Sequence, residues 1–353
     1  MDDSLEHEIT DVERGFVAGL LIGEGHFGGD GKQPQITLKM HVRHEAIFRW
    51  LQNLFPRARL YGPYHHGGRS YFQWMARGAA LAEDVLPVVE SVLTDEIDTH
   101  VSARIRDMRD GYAEYFARYE GPLDGQVREL TRRYGLAPRA RAQLSTILTT
   151  LAVDDRAPTT VRASEEAIDA HLADSLVALE VNLVRSAKRL ADIGTGAGFP
   201  GLALAVALPR SEVWLVESQT KKCQFLRGMI AAAGIDNAFV VERRAEEWPD
   251  GLGAHDVVLA RALASAPVVL EYAAPLLALG GVLVDWRGRR DTEDEEAALE
   301  AAGQLGLQLL EIRSVRPFEE ARDRHLHVYS KVRETPDRFP RRAGMARKRP
   351  LCG

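Results

Sequence analysis

The pattern of apolar and polar positions changes about a third of the way along the chain. Residues 35–42 alternate with a period of two, which predicts a half-buried strand, and residues 46–54 place apolar side chains at helical spacing. Farther along, continuous apolar runs such as 213–216 and 256–260 alternate with helical segments. Strands buried on both faces have such continuous runs, so the pattern predicts an α+β domain followed by an α/β domain with a parallel sheet.

The front part is predicted to fold in the order α-β-β-α-β-β-α. After an apolar helix, a strand pair and a second helix, residues 59–75 read as a β-hairpin with its turn at Gly67 and Gly68. A longer helical region covers residues 78–119, with an interruption expected at Pro87. These elements form one α+β domain.

The domain boundary is predicted from a turn-rich segment, Gly-Pro-Leu-Asp-Gly, at residues 121–125. We therefore expect a first domain over residues 1–120 and a second over residues 126–353. Within the second domain, residues 126–185 are expected to form a helical cap and residues 333–353 a basic tail.

The second domain is organised around Asp-Ile-Gly-Thr-Gly-Ala-Gly-Phe-Pro-Gly at residues 192–201, a glycine loop between a strand and a helix. The next strand ends at Glu217, which makes a βαβ unit. An ordinary glycine turn and a dinucleotide site both remain open. The order D-x-G-x-G-x-G, beginning at Asp192, resembles the S-adenosylmethionine (AdoMet) loop of class I methyltransferases, and Pro200 removes an N–H that a pyrophosphate would use. The candidate cofactor residues from this pattern are Asp192, Gly194, Gly196, Gly198 and Glu217.

Further apolar segments complete the predicted sheet. They lie at residues 238–242, 256–260, 280–285, 307–315 and 325–332, the last two as an antiparallel pair. The expected fold is a doubly wound, Rossmann-like sheet of seven strands, typical of class I AdoMet methyltransferases. Ligands bind at the carboxyl ends of the strands in such sheets. The residues predicted at these ends are Gly194, Glu217, Ala245, Glu246 and Arg261.

Six short segments of the second domain, taken in order, form a specific set. They are His-Leu-Ala-Asp-Ser-Leu at 171–176, the glycine loop at 192–201, Val-Glu at 216–217 with Lys-Lys at 221–222, Arg-Ala-Glu-Glu at 244–247, Ala-Arg-Ala at 260–262, and the segment from Phe339 to Leu351. Together they resemble the RsmG (GidB) family over residues 125–351, bacterial enzymes that use AdoMet to methylate guanine N7 in 16S ribosomal RNA (rRNA). The resemblance implies cofactor contacts at Gly194, Phe199, Ala245, Glu246 and Arg261.

The implied reaction needs no general base. Guanine N7 carries a lone pair and no proton, so the enzyme has only to align N7 with the methyl carbon and the sulfur. We accordingly predict no catalytic residue, and we expect Glu217 to bind the ribose hydroxyls of AdoMet. Arg261 remains open between a cofactor contact and a structural ion pair, and His171 is expected to bond to its neighbours.

Residues 17–25, Val-Ala-Gly-Leu-Leu-Ile-Gly-Glu-Gly, end the first predicted helix. With the element order that follows, they resemble a single LAGLIDADG motif of homing endonucleases, over about residues 12–119. The resemblance implies a divalent metal at Glu24 and a second copy of the domain to cut both DNA strands. Two interpretations remain open: a metal-dependent DNA endonuclease, and a nucleic-acid-binding domain without cleavage.

Charge is distributed unevenly along the 353 residues, whose formal net charge is −6. Residues 14–82 carry nine Lys or Arg against three Asp or Glu, and residues 333–353 carry seven against two. Two basic zones in an acidic protein predict contact with a polyanion. The RsmG resemblance implies that it is 16S rRNA or the small ribosomal subunit. The LAGLIDADG resemblance and the basic sheet region imply further DNA or RNA contact by the first domain. The predicted RNA-binding residues of the tail are Arg341, Arg342, Arg347, Lys348 and Arg349.

Cysteine use and hydropathy bear on the compartment. Cys223 and Cys352 lie far apart in sequence, which excludes a disulfide framework and fits a reducing environment. No apolar run reaches the roughly 18–20 residues that span a membrane, and the acidic first residues lack the features of a signal peptide. We therefore expect a cytoplasmic protein.

Overall fold

The computed structural model describes residues 9–116, 118–119, 122–161 and 164–351. The chain divides into two compact units, Met1–Ala142 and Gln143–Gly353, and each unit contains a buried apolar cluster of its own. Cys352 lies outside the described residues.

The first unit contains a four-stranded antiparallel sheet in the order β1-β2-β4-β3. Its elements are α1 (Asp11–Glu24), β1 (Gly25–Gly29), β2 (Pro34–His41), α2 (Glu45–Leu54), β3 (Arg59–His66), β4 (Arg69–Arg77), a π-helical turn (Ala80–Val85), α3 (Leu86–Val92), α4 (Asp95–Gly111), α5 (Ala113–Phe116), α6 (Pro122–Tyr134) and the start of α7 (Pro138–Val153). The predicted α-β-β-α-β-β-α order is confirmed, as is the hairpin turn at Gly67 and Gly68.

Period-two burial decides which face of this sheet packs against the helices. Ile36 and Leu38 of β2 and Trp74 of β4 are fully buried, in one cluster with Leu21 of α1. The intervening strand positions turn to the other face. Thr10 precedes α1 and forms a capping box with Glu13. The Thr10 hydroxyl accepts from the backbone N–H of Glu13, and the Glu13 carboxylate accepts from the backbone N–H of Thr10.

The helices after the first sheet differ from the prediction in one respect. The interruption within residues 78–119 comes at Leu93 and Thr94, between α3 and α4, and not at Pro87. Pro87 lies just after the π-helical turn Ala80–Val85, where the N–H of Leu86 bonds to the Leu81 carbonyl oxygen five residues earlier. A π turn of this kind accommodates a residue that has no N–H, so the helix continues through the proline.

The expected linker at residues 121–125 is also helical from Pro122, the first residue of α6. Proline is favoured in the first helical turn, so a segment with the composition of a turn begins a helix here. The compact units divide later in the chain, at Ala142. The domain boundaries drawn from the sequence remain a prediction.

The second unit contains a seven-stranded mixed sheet in the order β10-β11-β9-β8-β5-β6-β7. Its elements are α8 (Ser164–Ala167), a π-helical turn (Ile168–Ala173), α9 (Asp174–Leu176), α10 (Asn182–Ser186), β5 (Arg189–Ile193), α11 (Gly201–Ala207), β6 (Glu212–Glu217), α12 (Thr220–Ala232), β7 (Ala238–Glu242), β8 (His255–Arg261), α13 (Ala266–Ala273), β9 (Leu277–Arg287), α14 (Thr292–Leu305), β10 (Leu307–Ser314), β11 (His325–Lys331) and α15 (Met345–Lys348).

Strands β5 to β9 are parallel, and β11 lies antiparallel between β9 and β10. Helices cover both faces, because Ala191 and Ile193 pack in one cluster with α13 and α14 whereas Asp192 and Leu215 face α11. The predicted doubly wound, Rossmann-like sheet with a final antiparallel pair is confirmed. Nowhere in the described ranges does a helix combine the length and apolarity needed to cross a bilayer.

A buried ion pair offers a test of the first unit's stability. Arg109 donates to the Glu90 carboxylate through Nε at 2.6 Å and Nη2 at 2.7 Å, and Glu90 is 5% exposed. Replacing Arg109 with Met leaves a buried charge unpaired, so we expect the free energy of unfolding to fall by about 3–5 kcal/mol. Urea titration of the full chain measures this loss. Replacing both residues with Met should recover most of it, and a double variant as unstable as Arg109→Met would contradict the argument.

Candidate cofactor site

A tight glycine loop joins β5 to α11 at the carboxyl edge of the second sheet. Gly194 and Gly198 have φ values of +67° and +101°, in the left-handed region that favours glycine. A Cβ atom at Gly194 would collide with Leu263, and one at Gly198 with Leu202. The shape of the backbone therefore requires the glycines at these two motif positions.

Asp192 braces this loop from inside. Its Oδ2 accepts hydrogen bonds from the Thr195 hydroxyl at 2.5 Å and from the Gly201 N–H at 2.8 Å. The residue is 1% exposed, and in the described part of the chain its Oδ1 is buried without a hydrogen-bond partner. Burial raises the pKa of Asp192 to about 6, although both hydrogen bonds act in the opposite direction.

A cavity of about 380 Å³ opens at the carboxyl ends of β5, β6 and β7. Four residues predicted from the sequence line it: Gly194, Glu217, Ala245 and Glu246. Its other walls come from Ile193, Val216, Ser218, Gln219, Lys222, Arg243, Arg244, Ala262, Leu263, Tyr272 and Arg347. These four residues lie at or just after strand ends, as predicted, and so does the fifth, Arg261, the last residue of β8. Contacts of all five with a cofactor remain predictions.

Glu217 connects the cavity to the glycine loop. The residue ends β6 and is 6% exposed, and its Oε2 accepts from the N–H of Gly196 at 3.3 Å. Its Oε1 accepts from the N–H of Gln219 at 2.9 Å, and Nζ of Lys222 lies 3.9 Å from Oε2. The carboxylate is therefore fixed in the cavity wall, while Asp192 and Gly196 shape the loop behind it.

Phe199 and Arg261 lie outside the walls of this cavity. Phe199 is 4% exposed and stacks on His171, with ring centroids 4.7 Å apart and planes at 9°. Nη1 of Arg261 donates to Oδ2 of Asp174 at 2.9 Å, so the ion pair that the sequence left open is present. Cofactor contacts at Phe199 and Arg261 remain predictions.

His171 is held by the residues around it, as expected. Its Nε2 lies 3.1 Å from the Thr159 hydroxyl and 3.2 Å from the Val161 carbonyl oxygen. Burial, and next the positive charge of Arg261, lower the pKa of His171. The imidazole is therefore neutral near pH 7 and serves as a packing surface for Phe199.

The basic tail forms part of the cavity wall. Arg341 donates to the nearly fully buried Glu271 carboxylate through Nε at 2.6 Å, and the N–H of Gly344 donates to Oε1 of Glu246 at 3.1 Å. Arg347 lines the cavity and donates to the Leu263 carbonyl oxygen at 2.9 Å. The exposed members of the predicted RNA-binding set are Arg342, Arg347, Lys348 and Arg349.

Sequence reasoning missed several residues of the wall. Tyr272 lies on α13 and lines the cavity. Its pKa is raised mainly by burial and to a smaller extent by the negative charge of Glu246. Ala262 and Leu263 follow the end of β8 and also line the cavity. Tyr272 carries no motif signal, but the two residues after β8 stand at a strand end, where ligands bind.

The donor set of the cavity suits AdoMet, the cofactor implied by the motif. AdoMet carries a cationic sulfonium and amino group, and Glu217 and Glu246 place two carboxylates in the wall. It also carries one carboxylate, and Lys222, Arg244 and Arg347 supply cations to the same wall. The buried, unpartnered Oδ1 of Asp192 adds an acceptor at the loop.

The predicted metal ligand, Glu24, is exposed at the last residue of α1. Across the described residues, no group of three or more His, Cys, Asp or Glu is arranged to hold a metal ion. A metal at Glu24 therefore remains a prediction.

Comparison with known proteins connects this site to one family. Residues 152–326 match the family described as GidB, rRNA small subunit methyltransferase G. The chain is 40% identical over 186 residues to the ribosomal RNA small subunit methyltransferase G of Syntrophomonas wolfei subsp. wolfei, covering 52% of this chain and 86% of that relative. It is 39% identical over 196 residues to the protein of the same name from Desulfitobacterium hafniense, covering 55% and 81%.

Among solved structures, a SAM-dependent methyltransferase from Aquifex aeolicus aligns with a TM-score of 0.38 and 16% identity, over 48% of this chain and 93% of that one. A TM-score this low says nothing about function. The family relationship therefore rests on the sequence relatives.

The raised pKa of Asp192 predicts a pH dependence of stability. Between the ordinary value of 3.8 and about 6, the folded state binds more protons than the unfolded state. Stability contributed by this group is therefore present at low pH and lost as the pH rises through about 6. Relative to Asp192→Asn, the wild-type free energy of unfolding should fall by on the order of 3 kcal/mol between pH 4 and pH 7.

Urea titrations of both proteins at each pH measure the effect of Asp192, and the difference cancels other titrating groups. Asp256→Asn is a matched control, because Asp256 is exposed and its Oδ2 accepts two backbone N–H bonds at 2.8 and 2.9 Å. A wild-type curve parallel to that of Asp192→Asn would contradict the burial of a titrating carboxyl group.

Proposed function

We propose that this chain, which belongs to the GidB family of small-subunit rRNA methyltransferases, transfers a methyl group from AdoMet to N7 of a guanine in 16S rRNA. The observation that carries the proposal is the cavity at the ends of β5, β6 and β7, bounded by the glycine loop and two carboxylates. The names of the two relatives describe methyltransferases of small-subunit rRNA. The choice of N7 comes from the family resemblance and from the chemistry of the site.

The residues that hold AdoMet are proposed from the walls of the cavity. Gly194 brings the backbone close to the ligand, and Glu217 accepts from the ribose hydroxyls. Glu246 would face the cationic part, and Asp192 would act from behind the wall through the loop that it braces. When bound, AdoMet supplies an electrophilic methyl group on a positively charged sulfur. The remaining contribution of the protein is alignment, worth up to about 7–11 kcal/mol in well-oriented reactions.

The acceptor chemistry agrees with the residues that the structure describes around the cavity. Methylation of N7 needs no proton removal. His171, the histidine within the motif segment 171–176, is held by Thr159, Val161 and Phe199. The guanine becomes cationic as the methyl group arrives, and carboxylates such as Glu217 stabilise that charge. We therefore assign a positioning mechanism and no catalytic base.

The rRNA substrate is proposed to bind over the tail. Arg342, Lys348 and Arg349 are exposed cations beside Arg347, which also lines the cavity. Arginine and lysine bind phosphate oxygens, which fix the register of the nucleic acid. The small ribosomal subunit is the expected partner, and a cytoplasmic location, which follows from that substrate, stays a prediction.

For the first unit, we propose nucleic-acid binding by the face of the sheet that turns away from its helices. Strands β1 to β4 contain no Asp or Glu. Ile36, Leu38 and Trp74 are buried on the opposite face, and side chains alternate between the two faces along each strand. This alternation identifies the residues of the outward face. Its cations are Lys39, Arg59, Arg69 and Arg77, and its tyrosines are Tyr61, Tyr64 and Tyr71.

Two features of this face favour a nucleic acid. The rings of Tyr64 and Tyr71 lie 5.5 Å apart across the strand pair, and tyrosine rings stack on bases. Arg59 and Arg69 are exposed, whereas Arg77 is partly neutralised by Asp30 at 3.7 Å. A cationic sheet with aromatic side chains provides phosphate contacts and stacking together.

The LAGLIDADG-like identity of this unit, and a divalent metal at Glu24, remain parts of the same proposal. They rest on residues 17–25 and on the confirmed element order. We prefer binding to cleavage because the cations and tyrosines of the sheet face suit contact with a nucleic acid and supply no group for cutting it. Mg²⁺-dependent cutting of plasmid DNA that disappears in Glu24→Gln would favour the endonuclease instead.

The methyltransferase proposal predicts transfer of labelled methyl from AdoMet to guanine N7 of small subunits that lack the modification. Gly194→Asp should weaken AdoMet binding roughly tenfold or more, because left-handed strain and the collision with Leu263 cost about 1–3 kcal/mol. Gly228→Asp is the matched control, since Gly228 lies in α12 with open space around its Cα. Absence of label in wild type despite AdoMet binding would exclude this substrate.

The sheet-face proposal predicts weaker RNA binding in the double variant Arg59→Ala and Arg69→Ala. We expect the slope of log affinity against log salt to become less steep by roughly 1.4, from two lost phosphate contacts on a single strand. Filter binding of the full chain to 16S rRNA fragments measures it. Arg49→Ala on α2, where Arg49 pairs with Glu45, should leave the slope unchanged. A double variant indistinguishable from Arg49→Ala would refute the assignment.

A further inference from the structure

The backbone is strained at two places in the second unit. Within the residues that the structure describes, the non-glycine residues with positive φ are Ala262 at +53° and Asp323 at +50°. Such conformations persist only where surrounding contacts enforce them, and they cluster at functional sites. Ala262 directly follows Arg261, and Asp323 directly precedes Arg324. The two strained residues therefore flank two arginines.

Both arginines converge on one carboxylate, that of Asp174. The residue is 7% exposed at the start of α9, and its Oδ2 accepts from Nη1 of Arg261 at 2.9 Å. Nε of Arg324 lies 3.5 Å from its Oδ1. The Asp174 carbonyl oxygen accepts from Nε1 of Trp286 at 2.8 Å, which fixes the backbone of this turn.

This cluster lies at the edge of the sheet where ligands bind. Arg261 ends β8, Trp286 is its partner near the end of β9, and Arg324 directly precedes β11, whose first residue pairs with the last residue of β9. Ala262 and Leu263 line the cofactor cavity, while the side chain of Arg261 points to Asp174. The left-handed turn at Ala262 thus separates the cavity from the Asp174 cluster.

The two arginines differ in accessibility. The Arg261 side chain is 17% exposed and also donates to the Ala170 carbonyl oxygen at 2.8 Å, so it is committed to the protein. The Arg324 side chain is 42% exposed, and its ion pair uses Nε, the nitrogen nearest the backbone. One carboxylate thus faces two guanidinium groups, and the excess positive charge lies on the accessible one.

We propose that Arg324 binds a phosphate of the RNA acceptor beside the target guanine, and that Asp174 is the positioning residue that holds it there. The proposal rests on the proposed rRNA methyltransferase function and adds an acceptor-side contact remote in sequence from the basic tail. A phosphate fits because the accessible group is a guanidinium, which binds phosphate oxygens in a forked geometry. The strained Asp323 aims the side chain, and the carboxylate of Asp174 keeps it from swinging away.

The first experiment compares Arg324→Ala with Arg322→Ala, an exposed arginine two residues earlier in the same loop. Arg324→Ala should raise KM for unmodified small subunits about tenfold, the effect of one lost hydrogen bond to a charged group. It should also make the slope of log affinity against log salt less steep by roughly 0.7. AdoMet affinity, measured by calorimetry, should stay unchanged. Arg324→Lys should recover part of the loss, because an ammonium still binds phosphate as a point charge.

The second experiment tests the positioning role of Asp174. Asp174→Asn should raise KM for small subunits to a similar degree, and Asp174→Glu should restore part of it. The double variant with Arg324→Ala should be no worse than the poorer single variant, because both changes remove the same contact. A purely structural role would lower the melting temperature and kcat without changing the salt slope.

Each outcome decides the proposal. An Arg324→Ala variant with the KM and salt slope of Arg322→Ala would overturn it, as would additive losses in the double variant. Wild-type protein that methylates no RNA would refute the proposed function itself. Methylation by the wild type is therefore measured first, before the variants are compared with it. Changed AdoMet affinity in Arg324→Ala would place Arg324 at the cofactor instead, and the acceptor contact would be rejected.

Discussion

The buried carboxylate of Asp192 is the contact on which the cofactor site depends. It joins the end of β5 to the first residue of α11 through Gly201 and fixes the loop between them through Thr195. The loop can take this shape only because Gly194 and Gly198 occupy left-handed conformations. A charged group buried so completely disfavours its own ionisation. The fold therefore tolerates an electrostatic cost at the residue that braces the glycine loop beside the cavity.

The cavity is completed by segments that are distant in sequence. Glu246 accepts from the backbone of Gly344, and Arg347 of the tail bonds to Leu263 beside the strand end. The ion pair of Arg341 with Glu271 anchors the tail to α13. The segment proposed to bind rRNA is thus also a wall of the cofactor cavity. Ordering of that segment by either ligand would favour the other, which links the two binding events thermodynamically.

The sequence predicts the parts of this site that depend on local backbone chemistry. Asp192 and Gly194 follow from a loop motif in which Gly194 takes a left-handed conformation, and Glu217 follows from an apolar run that stops at a strand end. Neither the position of Tyr272 in the cavity wall nor the pairing of Arg261 with Asp174 is predictable in this way, because both depend on how distant elements pack together. Local composition misled at Pro87, because the π-helical turn that accommodates this proline has no signal in the composition of the segment.

The local charge of the first unit's sheet differs from the net charge of the chain. The chain is acidic overall, at −6, yet strands β1 to β4 carry no acidic side chain. At physiological salt, charges more than about 8 Å apart are largely screened from each other, so a nucleic acid responds to the cations that it touches. Arg59 and Arg69 are exposed on the face that carries the tilted ring pair of Tyr64 and Tyr71, whereas Arg57 is neutralised by Glu83 and Asp84. The arrangement of ion pairs therefore favours this sheet face for the proposed contact with RNA.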